Sequence, residues 1–165
     1  MERWAQARAT VLVLDRIGNA HNLGAIARTA AFFGVEQIVL AEAATAARPT
    51  EAAHRVAEGG LEHVELWQVK NIATLAKDLA AAGYEVIGAA TRGGRPEAAA
   101  DAKKPVALVM GNEEAGLAPA VVAACTRLVT IPGTGNVESL NVSVAAAVLL
   151  WECCARRAVG GSAAR

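Results

Sequence analysis

Residues 131–152 read "IPGTGNVESLNVSVAAAVLLWE" and join three kinds of sequence that fold differently. The stretch begins as the end of a strand, continues as a polar loop with two glycines, and finishes as an apolar helix. Hydrogen-bonding side chains alternate with apolar ones where the helix begins, at Ser139, Asn141 and Ser143. A single such side chain is enough to cap a helix. Three such side chains are more than a cap needs, which indicates that this loop does more than connect a strand to a helix.

Short apolar runs alternate with segments of helical spacing along the rest of the chain. The pattern predicts six strands, at residues 10–15, 35–41, 63–69, 84–90, 105–111 and 127–132. It predicts helices at residues 22–34, 49–58, 71–83, near Pro119 and at 140–157, with Asn22 as an N-cap and Gly34 as a stop. This alternation implies an α/β fold, a mostly parallel six-stranded sheet with helices on both faces. Residues 1–165 show no repeat or linker, so we expect a single domain.

The composition gives no broad attraction to nucleic acids or membranes. Lys and Arg together number 16, as do Asp and Glu, so the formal net charge is zero. No apolar run reaches the roughly 18 residues of a membrane span, and the N-terminus lacks the apolar core of a signal peptide. The 3 cysteines have no metal-ligand spacing, so we expect reduced thiols and no metal site. These features are typical of a cytoplasmic protein.

Three of the predicted strands end in unusually polar or glycine-rich sequence. These exits are "DRIGNAHNLGAIARTA" (15–30), "MGNEEAGL" (110–117) and the loop at 131–141. Parallel strands place their carboxyl ends on one edge of the sheet, where ligands bind. We therefore expect the exits to form a polar site. No dinucleotide fingerprint, P-loop or G-x-S-x-G motif is found, so spacing alone does not identify the reaction.

Each candidate side chain at these exits also has a purely structural explanation. Arg28 lies among small apolar residues, which favours a partly buried arginine with a function over a solvated one. Ser139 and Asn141 could simply cap the last helix. Glu113 could be a surface charge, which is our interpretation of Glu114. The histidines are scattered, and we interpret them as structural or surface residues: His21, His54 and His63.

Taken together, "NLGAIARTAAFFGV", "LVMGNEEAGL" and the stretch at 131–152 resemble the three successive motifs of the SpoU branch of the SPOUT RNA methyltransferases. Their order, spacing and position at strand exits match, and "RVAEGGLEHV" (55–64) also suits this branch, without an assigned chemistry. The resemblance implies a 2′-O-ribose methyltransferase that uses S-adenosylmethionine and acts on rRNA or tRNA. It also implies a homodimer and a C-terminal deep trefoil knot, in which the loops after strands five and six thread through each other.

The resemblance assigns roles to residues at the strand exits. The cofactor contacts are Gly111, Ile131 and Leu140, with Thr91 at the end of strand four as a further one. The residues of the reaction centre are Arg28, Glu113, Ser139 and Asn141. In the family the arginine acts near the partner protomer's cofactor. Because a guanidinium keeps its proton at neutral pH, we expect Arg28 to clamp the substrate phosphate and to stabilise alkoxide charge. The general base stays unassigned.

Functions of three classes are compatible with the sequence. The first is an active RNA 2′-O-methyltransferase. The second is a catalytically inactive module of the same fold that binds RNA or the ribosome, and the third is an unrelated small-molecule enzyme. The retained polar residues favour the first over the second, and the missing nucleotide fingerprints disfavour the third. Many relatives carry a separate N-terminal RNA-binding domain, which we do not expect within this chain, and the form of "GTGNVESLN" favours rRNA slightly over tRNA.

Overall fold

The computed structural model of the chain describes residues 2–96 and 104–155. The strands are β1 (Val11–Leu14), β2 (Gln37–Ala41), β3 (Glu65–Val69), β4 (Glu85–Ala89), β5 (Val106–Met110) and β6 (Arg127–Val129). The helices are α1 (Glu2–Gln6), α2 (Ala20–Phe32), α3 (Glu51–Ala57), α4 (Ile72–Ala81), α5 (Pro119–Ala124) and α6 (Val142–Leu150). A 3₁₀ turn (Gly60–His63) follows α3, and a π-helical turn (Trp151–Ala155) follows α6.

The six strands form a sheet in the order β3-β2-β1-β5-β4-β6. Each strand pairing in this sheet is parallel, which confirms the predicted α/β fold with six strands. Because parallel neighbours end on the same edge, the exits of β1, β5, β4 and β6 follow one another along that edge. The order of the strands along the sheet thus brings the polar exits together.

Alternation along the strands divides the core between the two faces of the sheet. In β1, Leu12 and Leu14 belong to one cluster of buried side chains, and Val11 and Val13 belong to the other. Side chains of α2, α3 and α6 cover the leucine face, whereas those of α4 and α5 cover the valine face. Burial on both faces explains why β1 and β5 are apolar throughout instead of alternating with polar residues.

Two glycines allow α2 to lie directly against the segment that carries α3. A Cβ at Gly24 would lie 2.3 Å from the main-chain oxygen of Ala53. A Cβ at Gly60 would lie 2.6 Å from the Cα of Arg28. Side chains do not tolerate such distances from backbone atoms, so both approaches require glycine. The 3₁₀ turn therefore packs on the backbone of α2 at Arg28.

Several helix ends differ from those predicted. Asn19, not Asn22, caps α2, and its side chain accepts a hydrogen bond from the main-chain N–H two residues later at 2.8 Å. Asn22 lies in the first turn of α2, where its side chain reaches other elements. Asn141 caps α6, so Leu140 lies in the preceding loop and not in the helix. The α-helical part of α6 ends at Leu150, and residues 156–157 of the predicted helix lie outside the described residues.

The sequence pattern does not predict α1, which packs against the edge strand β3. Trp4 contacts Trp67 edge-on, with 5.6 Å between the ring centroids. The indole Nε1 of Trp67 donates a hydrogen bond to the side chain of Gln37 at 2.9 Å. Aromatic packing therefore holds α1 at the end of the sheet opposite β6. None of the helices in the described ranges is both long and apolar enough to cross a membrane.

The thiol of Cys125 is free, as expected for a reduced cysteine. Cys153 is buried, and the side chain of Cys154 lies outside the described residues. Burial raises the pKa of the Cys125 thiol to about 11. Because the thiolate is the reactive form, this cysteine acts as a packing residue.

Gly24→Ala should destabilise the protein even though alanine favours helices. The added methyl group has no room against Ala53, and overpacking of this kind costs about 1–3 kcal/mol. In a chain of this size, that corresponds to a fall of roughly 2–12 °C in the midpoint of thermal unfolding. Gly133→Ala is the matched control because nothing lies within 4 Å of a Cβ there. Equal midpoints for Gly24→Ala and the wild type, measured by circular dichroism, would contradict the close contact between α2 and α3.

Candidate functional site

The first two polar exits meet at the carboxylate of Glu113, which lies in the loop after β5. Its Oε2 accepts a hydrogen bond from the main-chain N–H of Gly18 at 3.3 Å. Its Oε1 accepts hydrogen bonds from the main-chain N–H of Asn19 at 3.4 Å and from Nδ2 of Asn22 at 2.8 Å. These donors belong to the β1–α2 connection or the first turn of α2, and Nδ2 of Asn112 in the same loop as Glu113 also donates to Oε2 at 3.3 Å. Glu113 is therefore not a plain surface charge.

Asn22 extends this network to the third exit. Its side-chain oxygen accepts a hydrogen bond from Nδ2 of Asn141 at 3.2 Å. Oδ1 of Asn141 accepts hydrogen bonds from the main-chain N–H of Ser143 at 2.9 Å and from the Ser143 hydroxyl at 2.6 Å. Asn141 thus caps α6 and also joins it to α2, so capping does not account for all of its contacts. The prediction that the three exits lie on one edge of the sheet is confirmed, and the hydrogen bonds show that they also meet.

The loop after β5 is braced by its own main chain. The N–H and the carbonyl of Asn112 both pair with Gly116, at 3.0 and 2.9 Å. Oδ1 of Asn112 accepts hydrogen bonds from the main-chain N–H groups of Glu114 and Ala115. A Cβ at Gly111 would lie 2.4 Å from the main chain of Gly116. The closure of this loop therefore requires glycine at position 111, independently of any bound cofactor.

Asp15 joins the same loop to the first exit. It is 3% exposed, and its carboxylate accepts a hydrogen bond from the N–H of Ala118 at 2.9 Å. Arg16 pairs with this carboxylate through Nε at 3.0 Å and donates from Nη2 to the carbonyl of Gly116 at 3.3 Å. Nδ2 of Asn112 donates to the carbonyl of Arg16 at 2.8 Å. These contacts fix the loop that carries Glu113 relative to the start of α2.

The loop at 131–141 is exposed and its main chain is open. Within the described part of the chain, no main-chain group of residues 131–140 bonds to another main-chain group. The predicted cofactor residues lie around this loop: Leu140 is exposed, Ile131 is half-buried, Gly111 is buried at the end of β5, and Thr91 is exposed after β4. Since β5, β4 and β6 are neighbours in the sheet, these residues lie at three adjacent exits.

The loop after β4 is tied to the segment after β6. The main-chain N–H of Gly94 donates to Oγ1 of Thr130 at 3.0 Å. Nη2 of Arg92 lies 3.2 Å from Oε1 of Glu138, and both side chains are exposed. The two loops that would flank a ligand at this edge are therefore connected to each other.

Arg28 is exposed, whereas the sequence predicted a partly buried arginine. Its side chain is 55% exposed, and Nη1 lies 2.9 Å from Oε1 of Glu58. The small neighbours that suggested burial, such as Ala27 and Ala30, pack into the core on the inner side of α2 and leave Arg28 facing outward. Ser139 is also exposed, in the open loop before Asn141.

Hydrogen bonds set the charge of Glu113. Burial by itself would raise the pKa of this carboxyl. Hydrogen bonds from Asn22 and from the main-chain N–H groups of Glu113, Gly18 and Asn19 outweigh burial and lower the pKa. Glu113 is therefore an anion and an acceptor at neutral pH. In the described ranges, no group of three or more His, Cys, Asp or Glu side chains could hold a metal ion, and the three histidines are exposed.

Asn22, Asp15 and Asn112 belong to the network although the sequence analysis assigns them no part in a site. From the sequence, Asn22 is predicted only as a helix cap, because asparagine at the start of a predicted helix is a preferred N-cap residue. The available signal was position, since each of these residues lies at a strand exit inside a polar motif. Their partners come from distant parts of the chain, which no local pattern specifies.

Glu113→Gln should make the free energy of unfolding less dependent on pH in the acid range. Because the folded-state pKa of Glu113 is lowered from 4.5, its carboxylate stabilises the fold above that value, and the contribution is lost as the pH falls through the lowered pKa. The stability difference between wild type and Glu113→Gln should therefore be largest near neutral pH and shrink in acid. Denaturant unfolding from about pH 7 to about pH 2 measures this difference. Glu114→Gln is the exposed control, and a difference that stays constant with pH would argue against the network.

Similar proteins are RNA methyltransferases by name. A 23S rRNA (guanosine-2′-O-)-methyltransferase RlmB from Acinetobacter baylyi is 41% identical over 152 residues, which cover 91% of this chain. The chain spans only 61% of the length of that relative.

Solved structures share the fold. An AdoMet-bound rRNA methyltransferase from Sinorhizobium meliloti has a TM-score of 0.81 at 32% identity, over 92% of this chain and 57% of that one. The A. aeolicus TrmH/SpoU tRNA modifying enzyme has a TM-score of 0.83 at 26% identity, over 99% of this chain and 85% of that one. The model of the SpoU rRNA Methylase family matches residues 9–151, which include the three polar exits. The chain therefore belongs to the SpoU rRNA methylase family.

Proposed function

We propose that this protein is an S-adenosylmethionine-dependent methyltransferase that modifies a ribose 2′-hydroxyl of RNA. The observation that carries the proposal is the hydrogen-bond network from Glu113 through Asn22 to Asn141, beside the open loop at 131–141. The network joins one polar side chain from each of the three motifs. Relatives named as rRNA methyltransferases and a TrmH/SpoU tRNA modifying enzyme support the assignment.

The open loop fits a cofactor that is held by main-chain groups. N–H and carbonyl groups that bond to no other main-chain group in the described structure can bind the polar edge of an adenine. Ile131 and Leu140 add apolar contact on the same loop. We assign cofactor binding to Thr91, Gly111, Ile131 and Leu140. When bound, S-adenosylmethionine supplies an electrophilic methyl group on a sulfonium sulfur.

The protein must align a hydroxyl group that is a weak nucleophile. Methyl transfer is an in-line displacement, so alignment and exclusion of water contribute much of the rate. We assign Arg28 to the substrate phosphate and to the alkoxide charge that develops on the ribose oxygen. A guanidinium offers five donors and keeps its proton, which suits both roles. The exposure of Arg28 is what a residue needs to meet an incoming RNA.

The other polar residues hold the reaction centre in shape. Glu113 is an anion whose acceptor sites are directed at α2, so we assign it to positioning and not to proton donation. Asn22 positions Glu113 relative to Asn141, and Asn141 fixes the start of α6. Ser139 stays in the reaction centre because its exposed hydroxyl lies in the same loop.

We propose further that residues 1–165 form a single SPOUT domain with a C-terminal deep trefoil knot. β6 lies at the end of the sheet beyond β4, yet Asn141 in the following segment bonds to Asn22 at the start of α2. The connecting loop must therefore cross the carboxyl ends of β4 and β5. Such a path supports a knot, although chains rarely thread their own loops.

A homodimer through α6 and the end of α2 is part of this proposal. Three exposed side chains form a stripe on α6: Val144, Val148 and Trp151. Phe32 on α2 is 82% exposed, and its neighbour Phe33 lies 6.0 Å from the ring of Trp151. Contiguous apolar surface of this kind is typical of an interface. Arg28 lies four residues before Phe32 on the same side of α2, so the interface would place Arg28 beside the partner.

We propose rRNA or tRNA as the substrate and the cytoplasm as the location. rRNA is the first substrate to test, because the Acinetobacter relative is named for 23S rRNA. The direct test incubates the protein with total RNA and S-adenosylmethionine and measures 2′-O-methylated nucleosides by mass spectrometry. Binding of RNA with no methylated product, under conditions where the cofactor binds by calorimetry, would favour an inactive RNA-binding module instead.

Arg28→Ala should lose on the order of 100-fold in the single-turnover rate of methyl transfer, comparable to removal of a charge-stabilising donor. Arg28→Lys should keep part of the activity, because a point cation remains although the planar fork is lost. Cofactor affinity should not change in either variant, since the cofactor is held by the later loops. A wild-type rate in Arg28→Ala would show that Arg28 is only a surface residue.

Replacement of the exposed apolar stripe should separate the dimer. Val148→Lys places a charge in the centre of the stripe, where burial without a partner is unfavourable. Light scattering at micromolar concentration should give the mass of two chains for the wild type and of one chain for Val148→Lys. Thr74→Lys on α4, on the opposite face of the sheet, is the control. A wild-type mass of one chain would contradict the dimer.

A further inference from the structure

We propose that Glu58 is a positioning residue for Arg28, and this inference rests on the proposed function of Arg28. Oε1 of Glu58 lies 2.9 Å from Nη1 of Arg28. Glu58 belongs to "RVAEGGLEHV" (55–64), a segment that suits the family but has no assigned chemistry. A carboxylate beside the guanidinium selects one of its many rotamers.

The backbone at Glu58 does not favour the residue found there. Glu58 is the C-cap of α3 and has φ 44° and ψ 50°, in the left-handed region. Glycine adopts this conformation without steric cost and is the usual residue at such a helix end. Glu58 therefore does not serve the turn, and its carboxylate contact with Arg28 supplies another reason for its presence.

The turn after Glu58 holds the carboxylate in register with Arg28. Gly59 continues the left-handed backbone with φ 86°, and Gly60 packs so closely that a Cβ would lie 2.6 Å from the Cα of Arg28. The main chain on both sides of the ion pair is thus fixed, although the two side chains are 55% and 63% exposed. Fixed backbones lower the entropy that an exposed ion pair loses when it forms.

In the ion pair, Nη1 of Arg28 faces Oε1 of Glu58. A guanidinium has five N–H donors in a planar fork, so a phosphate can still be bound through its remaining donors. A carboxylate near that phosphate adds no attraction for RNA. The expected effect of Glu58 is therefore on the rate of transfer once RNA is bound, and not on RNA affinity.

Glu58→Gln should lower the single-turnover rate about three- to fivefold at saturating RNA and cofactor, the range that an exposed ion pair can supply. The dissociation constant for RNA should stay the same or decrease slightly. Glu51→Gln is the matched control, because Glu51 lies in the same helix and makes a similar exposed ion pair with Arg55 at 2.8 Å. We expect the wild-type rate in that variant.

Two further variants separate positioning from a structural effect. Glu58→Gly relaxes the backbone and removes the carboxylate, so it should lose activity as Glu58→Gln does without loss of thermal stability. In the Arg28→Ala background, Glu58→Gln should cause no further loss, because the group that it positions is absent. A wild-type rate in Glu58→Gln, or the same loss in the Arg28→Ala background, would overturn the inference.

A failure of this inference can be distinguished from a failure of the proposed function. If the wild type is active and Arg28→Ala is impaired while Glu58→Gln equals the wild type, only the role of Glu58 fails. If the wild type transfers no methyl group, nuclear magnetic resonance of the Arg28 guanidinium still decides the contact. Rotation about its Nε–Cζ bond should be slower in the wild type than in Glu58→Gln, and equal rotation would overturn the positioning role.

Discussion

The carboxylate of Glu113 is the contact on which the arrangement of the candidate site depends. It gathers donors from the β1–α2 connection while its own loop is anchored by Asp15 and Asn112. Asn22 then accepts a hydrogen bond from Asn141 and so fixes the start of α6 relative to α2. Without the carboxylate, the donors at the start of α2 would lose their hydrogen-bond acceptor. The loops after β5 and β6 would then no longer be held in position relative to each other through α2. The lowered pKa of Glu113 keeps this acceptor charged in neutral solution.

The site combines a rigid part with an open part, and the two have different chemistry. The network around Glu113 consists of side chains whose polar atoms are bonded to one another, which suits the fixed geometry that an in-line displacement needs. The loop at 131–141 is largely exposed, and in the described ranges no main-chain group of residues 131–140 bonds to another main-chain group. Under the proposed function, the network supplies preorganisation, and we assign recognition of the cofactor to the loop.

The fold could be predicted because buried parallel strands leave a strong signal in the sequence. β1 and β5 are uninterrupted apolar runs between turn residues, and parallel strands place their polar exits on one edge of the sheet. Periodicity does not specify the order of strands, so the adjacency of the exits of β4 and β6 was not available from it. α1 is too short and polar to be recognised, and its place depends on the contact between Trp4 and Trp67.

The predictions for the cap of α2 and for the burial of Arg28 were wrong, because contacts between distant residues decide between local structures that the sequence pattern allows equally. Asn19 and Asn22 both satisfy the rule for a helix cap, but Asn19 caps α2 and the side chain of Asn22 bonds to Glu113. Arg28 was expected to be partly buried because its neighbours are small. The side of α2 that faces the core is set by contacts such as that of Gly24 with Ala53, which sequence spacing does not reveal.

The bond between Asn22 and Asn141 joins positions that are 119 residues apart. Contacts between residues so far apart in the sequence form late in folding, because the intervening chain must first be ordered. During synthesis the sheet strands therefore precede the segment that completes the site, and a nascent chain lacks the site until its last helix is available. The same connectivity means that local opening of α6 would dismantle the site while the sheet stays folded. A ligand bound to the 131–141 loop would then stabilise the folded position of α6 against local opening.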